Sequence, residues 1–257
     1  MTGSVIDSGG DGPLIIFMHG VGSGKEGWRA QYDAVVDAGW RFMAIDAPGF
    51  GGQELPQQAG FAPHVEALLA QIDQTGAERA VLCGHSLGGM TAQEFYANHP
   101  DRVSGLVLSA TSPAFGKSDG AFQKKFLQDR FEPFEQGMSM EQFARQFSSK
   151  LVGSAAQQSA IMEIETTMSR VSIAAYKLAM TTITGFDQRA NLPNITVPVL
   201  AIAGQEDTNS PSPMMEKMAG YMADCTFVEL AATGHMAPIE NSRQFNHRLI
   251  AFLRKLS

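Results

Sequence analysis

Residues 80–89 read Ala80-Val81-Leu82-Cys83-Gly84-His85-Ser86-Leu87-Gly88-Gly89, and a helix-like stretch from Met90 to Asn98 follows. An apolar run, a Gly-x-Ser-x-Gly turn and a helix in that order put a serine on a sharp bend between strand and helix. The bend forces a strained backbone at Ser86 and lifts its hydroxyl to the top of a sheet. Glycines flank it because side chains there would meet the neighbouring strand and helix. Taken alone, the pattern also fits a glycine-rich β-to-α turn with a solvated serine, so the rest of the chain decides.

Upstream, Leu14-Ile15-Ile16-Phe17-Met18 is a continuous apolar run, which predicts a strand buried on both faces. A helix is expected around Trp28–Ala38, a strand over Arg41–Ile45 and a helix from Pro63 to Gln74, with Pro63 near its start. Val103–Ser109 reads as the next strand. The alternation predicts a mostly parallel sheet with helices on both faces, an α/β fold. It breaks between about Ser112 and Leu192, where Phe122, Phe126, Phe131 and Phe134 recur near helical spacing and Phe143 and Phe147 lie four apart. Methionines are scattered through the same stretch. We read 112–192 as a helical lid inserted into a core made of 1–111 and 193–257, with some of its soft side chains facing a substrate. The alternation resumes at Val197–Ala203 and Thr226–Leu230, and a C-terminal helix is expected over Gln244–Lys255.

With 257 residues, 44% hydrophobic and 18% charged, the chain reads as an ordinary globular protein. A net charge of −7 without a basic run argues against nucleic acid as a partner. No apolar stretch approaches the roughly 20 residues of a membrane helix, and the polar, Gly-rich start does not read as a secretory signal. Cys83 and Cys225 lie in strand-like runs and are expected to be reduced core residues, as in a cytoplasmic protein.

A serine hydroxyl becomes a useful nucleophile only beside a base that is itself oriented. Two later strand ends offer those groups. Ala201–Gly204 leads into Gln205-Glu206-Asp207, and Phe227–Leu230 leads through Gly234 to His235. In an open parallel sheet the carboxyl ends of strands share one rim, where Ser86, Asp207 and His235 can converge. Each alone has a plainer reading: Asp207 as a turn former or helix cap, with Glu206 competing for its place, and His235 as a loop histidine. The amide of Leu87, at the helix start, and that of Val21, in the His19-Gly20-Val21-Gly22 loop, are the candidate oxyanion donors. His19 and His85 read as structural, and Trp28 as a cover for the first helix.

His19-Gly20, Asp46-Ala47-Pro48-Gly49-Phe50-Gly51, the Gly84–Gly89 turn, Gly204-Gln205-Glu206-Asp207 and Gly234-His235 follow one another as in the α/β-hydrolase superfamily, which the chain resembles. The resemblance implies Ser86 as nucleophile, His235 as base, Asp207 as its orienter and a helical cap. The layout is similar to small-cap hydrolases such as 3-oxoadipate enol-lactonases and the C–C bond hydrolases of aromatic degradation. Family members carry a β-hairpin before the His-Gly loop; only 18 residues precede His19, so a shortened hairpin and six or seven strands are expected. The loop continues Val21-Gly22-Ser23-Gly24-Lys25 rather than Gly-Gly-Gly-Pro-Gly, which leans away from C–C cleavage toward esters or lactones.

The resulting expectation is a cytoplasmic serine hydrolase of a small to medium carboxylic ester or lactone. A C–C hydrolase acting on a vinylogous diketone is the alternative, and a hydrolase-fold ligand receptor the third reading. No metal or organic cofactor is implied. The partner is a small-molecule substrate, with no nucleic acid and no membrane, and a homo-oligomer is left open. For a substrate carboxylate, Arg130, Arg145, Arg170 and Lys177 are equally placed in the sequence.

Overall fold

The computed structural model describes residues 5–116 and 120–256. Its first half runs β1 (Val5–Asp7), β2 (Leu14–Met18), α1 (Arg29–Asp37), β3 (Arg41–Ile45), α2 (Ala62–Thr75), β4 (Ala80–His85), α3 (Leu87–Asn98) and β5 (Val103–Ser109). Four helices then follow: α4 (Ala121–Glu135), α5 (Met140–Phe147), α6 (Gln158–Ser169) and α7 (Ile173–Thr184). The chain returns through β6 (Val199–Gly204), α8 (Ser212–Ala219), β7 (Cys225–Leu230), α9 (Ala237–Glu240) and α10 (Ser242–Leu253).

The strands form one seven-stranded sheet in the order β1-β3-β2-β4-β5-β6-β7. Every neighbouring pair is parallel except β1 with β3. The expected N-terminal hairpin is thus represented, among the described residues, by the three-residue strand β1 on β3.

Successive residues of β2 go to opposite faces, and this explains its unbroken apolar run. Leu14, Ile16 and Met18 join Leu68 and Ile72 of α2, Phe95 of α3 and Met215 of α8 in one cluster. Ile15 and Phe17 join Val35 of α1 and Phe245 and Leu249 of α10 in the other. Each such side chain contributes about 1.5–3 kcal/mol relative to staying exposed. Trp28 belongs to the second cluster, its ring 5.0 Å from Phe17 and 6.0 Å from Phe245.

A third cluster sits at the carboxyl edge of the sheet, where Phe143 of α5, Ile164 and Met168 of α6 and Tyr176 of α7 meet Val21, Leu87 and Met236. Not every aromatic or methionine of the helical stretch is inside: Phe122 is 66% and Met162 59% exposed. Among the described residues no helix is long and apolar enough to cross a membrane.

Candidate active site

Chain order reverses around β2: β3 lies on one side of it and β4 on the other. The loops leaving β2 and β4 therefore diverge and open a crevice at the carboxyl edge, the usual ligand site of such sheets. The first loop carries His19-Gly20-Val21 and the second carries Ser86.

Ser86 has φ 53° and ψ −114°, a conformation that costs a non-glycine residue about 1–3 kcal/mol. Its surroundings hold it there. The Ser86 amide donates to Ser109 O at 2.9 Å. Its carbonyl accepts from Gly89 N at 3.0 Å, Met90 N at 3.1 Å and Thr111 Oγ1 at 2.8 Å. A Cβ on Gly88 would fall 2.1 Å from Met18 O, so glycine is what lets α3 pack against β2. The His-Gly loop comes equally near, since a Cβ on Gly20 would lie 3.1 Å from Ser86 Cβ.

The His19 ring fixes that loop. Its Nε2 accepts from Ala47 N at 2.9 Å, so the proton sits on Nδ1, which donates to Gly20 O at 2.8 Å. Burial lowers its pKa and keeps it neutral. Beneath the loop lies a buried ion pair absent from the sequence reading. Asp46 accepts from Lys25 Nζ at 2.5 Å and from Lys25 N at 2.8 Å. Burial works against the Lys25 charge, but Asp46 and Glu26 raise its pKa on balance.

Asp207, just past β6, is buried and its Oδ2 accepts from His235 Nδ1 at 2.8 Å. Its Oδ1 accepts from the amides of Asn209 at 2.8 Å and Ser210 at 3.1 Å. Burial alone would raise the Asp207 carboxyl, but His235 and these two amides hold it below the usual carboxylate value. The neighbouring Glu206 does not compete. It is exposed and accepts from Ser154 N and Ser154 Oγ, both at 2.7 Å.

The His235 loop is held from two sides. His235 N donates to Leu151 O at 2.7 Å. Glu240 Oε2 accepts from Gly234 N at 3.0 Å and Gly153 N at 2.6 Å, and its Oε1 from Met236 N at 2.9 Å. Burial raises the Glu240 pKa against the pull of these amides. In the sequence Glu240 is one more helix residue, and no periodicity marks it. The His85 ring lies 4.8 Å from that of His235 and is kept neutral, its pKa driven well below the ordinary value by burial and then by His235.

Ser86, His235 and Val21 line one cavity of about 830 Å³, part of it open to solvent. Asp207 stands behind His235, outside the lining, and Leu87 is buried at the start of α3 beneath it. The helices between β5 and β6 supply an apolar wall that includes Phe126, Phe147, Met168 and Met180. Among the described residues no cluster of three or more His, Cys, Asp or Glu could hold a metal ion.

The chain matches the family model of the alpha/beta hydrolase fold over residues 13–242, and it belongs to that family. It is similar to a 2-hydroxy-6-oxononadienedioate/2-hydroxy-6-oxononatrienedioate hydrolase of a Pseudomonas species, 26% identical with 98% of this chain and 91% of the relative aligned. Among solved structures it shares its fold with an esterase of Thermogutta terrifontis at TM-score 0.87 and 24% identity, covering 98% of this chain and 93% of the other. An enol-lactonase of Burkholderia xenovorans superposes at TM-score 0.85 and 23% identity, covering 97% and 95%.

Proposed function

We propose that the protein is a cytoplasmic serine hydrolase that cleaves a small to medium carboxylic ester or lactone through an acyl-enzyme. The hydrogen bond of His235 Nδ1 to Asp207 carries this reading, with Ser86 on a strained turn in the same cavity. With Nδ1 committed to Asp207, Nε2 is the nitrogen left for proton transfer. Ser86 Oγ attacks the carbonyl carbon and His235 Nε2 takes its proton. Asp207 stabilises the imidazolium, and the amides of Val21 and Leu87 bind the oxyanion. The imidazolium protonates the departing alkoxide, and the same histidine then activates water to release the acid. Residues 112–192 act as a cap on the core formed by 1–111 and 193–257.

The test is turnover of p-nitrophenyl butyrate and γ-lactones by wild type and Ser86→Ala, with mass spectrometry of the trapped acyl-serine. Serine-dependent turnover is expected, and equal activity in the two proteins refutes the mechanism. The Pseudomonas relative's name favours a second reading, a C–C hydrolase of a vinylogous diketone. Cleavage of such a diketone with esters nearly inert would select it.

A further inference from the structure

The four cations left equal in the sequence are not equal in the fold. Arg145 is exposed and paired with Glu141 at 3.2 Å and Glu165 at 3.5 Å. Lys177 pairs with Glu135 at 3.7 Å, and Arg170 is exposed. Arg130 alone of the four lines the cavity that holds Ser86. Its guanidinium lies 4.6 Å from the ring centre of Phe147 and 5.3 Å from that of Phe126, both in the cavity wall. Among the described residues no carboxylate lies within ion-pair distance of it. Aromatic contacts of this kind attract the positive charge but accept little from its N–H fork, so the donors remain available.

A second group in the same wall points the same way. Tyr176 is 1% exposed, yet its hydroxyl has no hydrogen-bond partner among the described residues. Burial pushes its phenol up to about 12, so at neutral pH it is an uncharged donor. A buried hydroxyl without a partner destabilises the empty protein, and an oxygen of a bound ligand would remove that cost.

We propose that the Arg130 guanidinium and the Tyr176 hydroxyl form a carboxylate-binding subsite, so that the substrate is an ester or lactone carrying a free carboxylate beyond an apolar segment. The proposal rests on the hydrolase reading above. One positive charge, a planar fork and a single phenolic donor match a monoanionic carboxylate better than a dianionic phosphate. The Phe and Met side chains of the wall suit the apolar segment between the two ends.

The test pairs monoethyl esters of C4–C8 α,ω-dicarboxylic acids with ethyl esters of the corresponding monocarboxylic acids. Wild type is expected to favour the anionic member by about 10- to 100-fold in kcat/KM at the best chain length, the worth of a charge-assisted hydrogen-bonded pair. Arg130→Met should bring that ratio near one, chiefly through KM. Tyr176→Phe should lower it by about 5- to 10-fold with an equal or higher Tm, an outcome that a merely structural hydroxyl would not give. Arg145→Met should behave as wild type. Should Arg130→Met fail to fold, Tyr176→Phe, which removes one oxygen, carries the test.

A parallel arm uses calorimetric binding of the same monoethyl esters to Ser86→Ala, with and without Arg130→Met. Turnover of esters without charge preference, or a preference that survives Arg130→Met, overturns the subsite and leaves the hydrolase standing. Binding to Ser86→Ala that is lost with Arg130→Met, in the absence of any turnover by wild type, keeps the subsite and overturns the hydrolase. Absence of both turnover and binding overturns the subsite as well.

Discussion

Asp207→Asn tests the division of labour at the strand end after β6. Opposite unit charges 2.8 Å apart attract by about 6 kcal/mol at an effective dielectric near 20, so the imidazolium that forms during reaction depends heavily on Asp207. Asparagine removes that charge, and its amide can turn a donor toward Nδ1, favouring the wrong tautomer. A loss of about 4–5.5 kcal/mol corresponds to about 10³- to 10⁴-fold in kcat. Glu206 gives no rescue, because both its oxygens are engaged by Ser154 on the exposed side. The double variant Asp207→Asn/Glu206→Gln should therefore match Asp207→Asn in initial rates on p-nitrophenyl butyrate. If Asp207→Asn keeps more than about a tenth of wild-type kcat and Glu206→Gln then abolishes it, the carboxylates have been assigned in the wrong order.

Two further outcomes follow from the same network. Glu240→Gln replaces a carboxylate that takes three amides by a group that must face at least one of them with a donor. It should cost about 1–3 kcal/mol in urea unfolding and lower kcat more than it raises KM, because His235 loses its support. Asp207 also sets an acid limb. Its folded pKa lies below its ordinary value, so its contribution is present above about pH 3.8 and is lost as pH falls through the lower folded value. Urea midpoints of wild type should thus fall more steeply than those of Asp207→Asn below that pH, and parallel curves would refute the assignment.

What could be read from sequence alone was what local pattern controls. Strands such as Leu14–Met18 and Arg41–Ile45 are legible because both faces are buried and the run is unbroken. β1 is not, since three residues at a sheet edge leave no period to detect. Ser86, Asp207 and His235 each follow their own strand, and shared strand direction brings them to one edge. The choice between Glu206 and Asp207 was beyond sequence, because adjacent residues in a loop face different surroundings that only the packed insert defines. The same holds for Arg130, singled out by two phenyl rings 17 residues or fewer away in the chain but packed through helix geometry. Lys25 and Glu240 escaped for a related reason, as their partners Asp46 and Gly153 are remote in sequence.

The stitches between 151–154 and the histidine loop divide the inserted helices into two regions with different freedom to change. Leu151, Gly153 and Ser154 grip His235, Glu240 and Glu206, so substitutions there reach the proton-transfer step itself. Side chains of α4 and α7 meet the cavity without touching that lacing, and they can be exchanged for others while the histidine stays where it is. A lineage, or an engineer, can therefore retune which molecules enter from those two helices and leave the reaction chemistry alone.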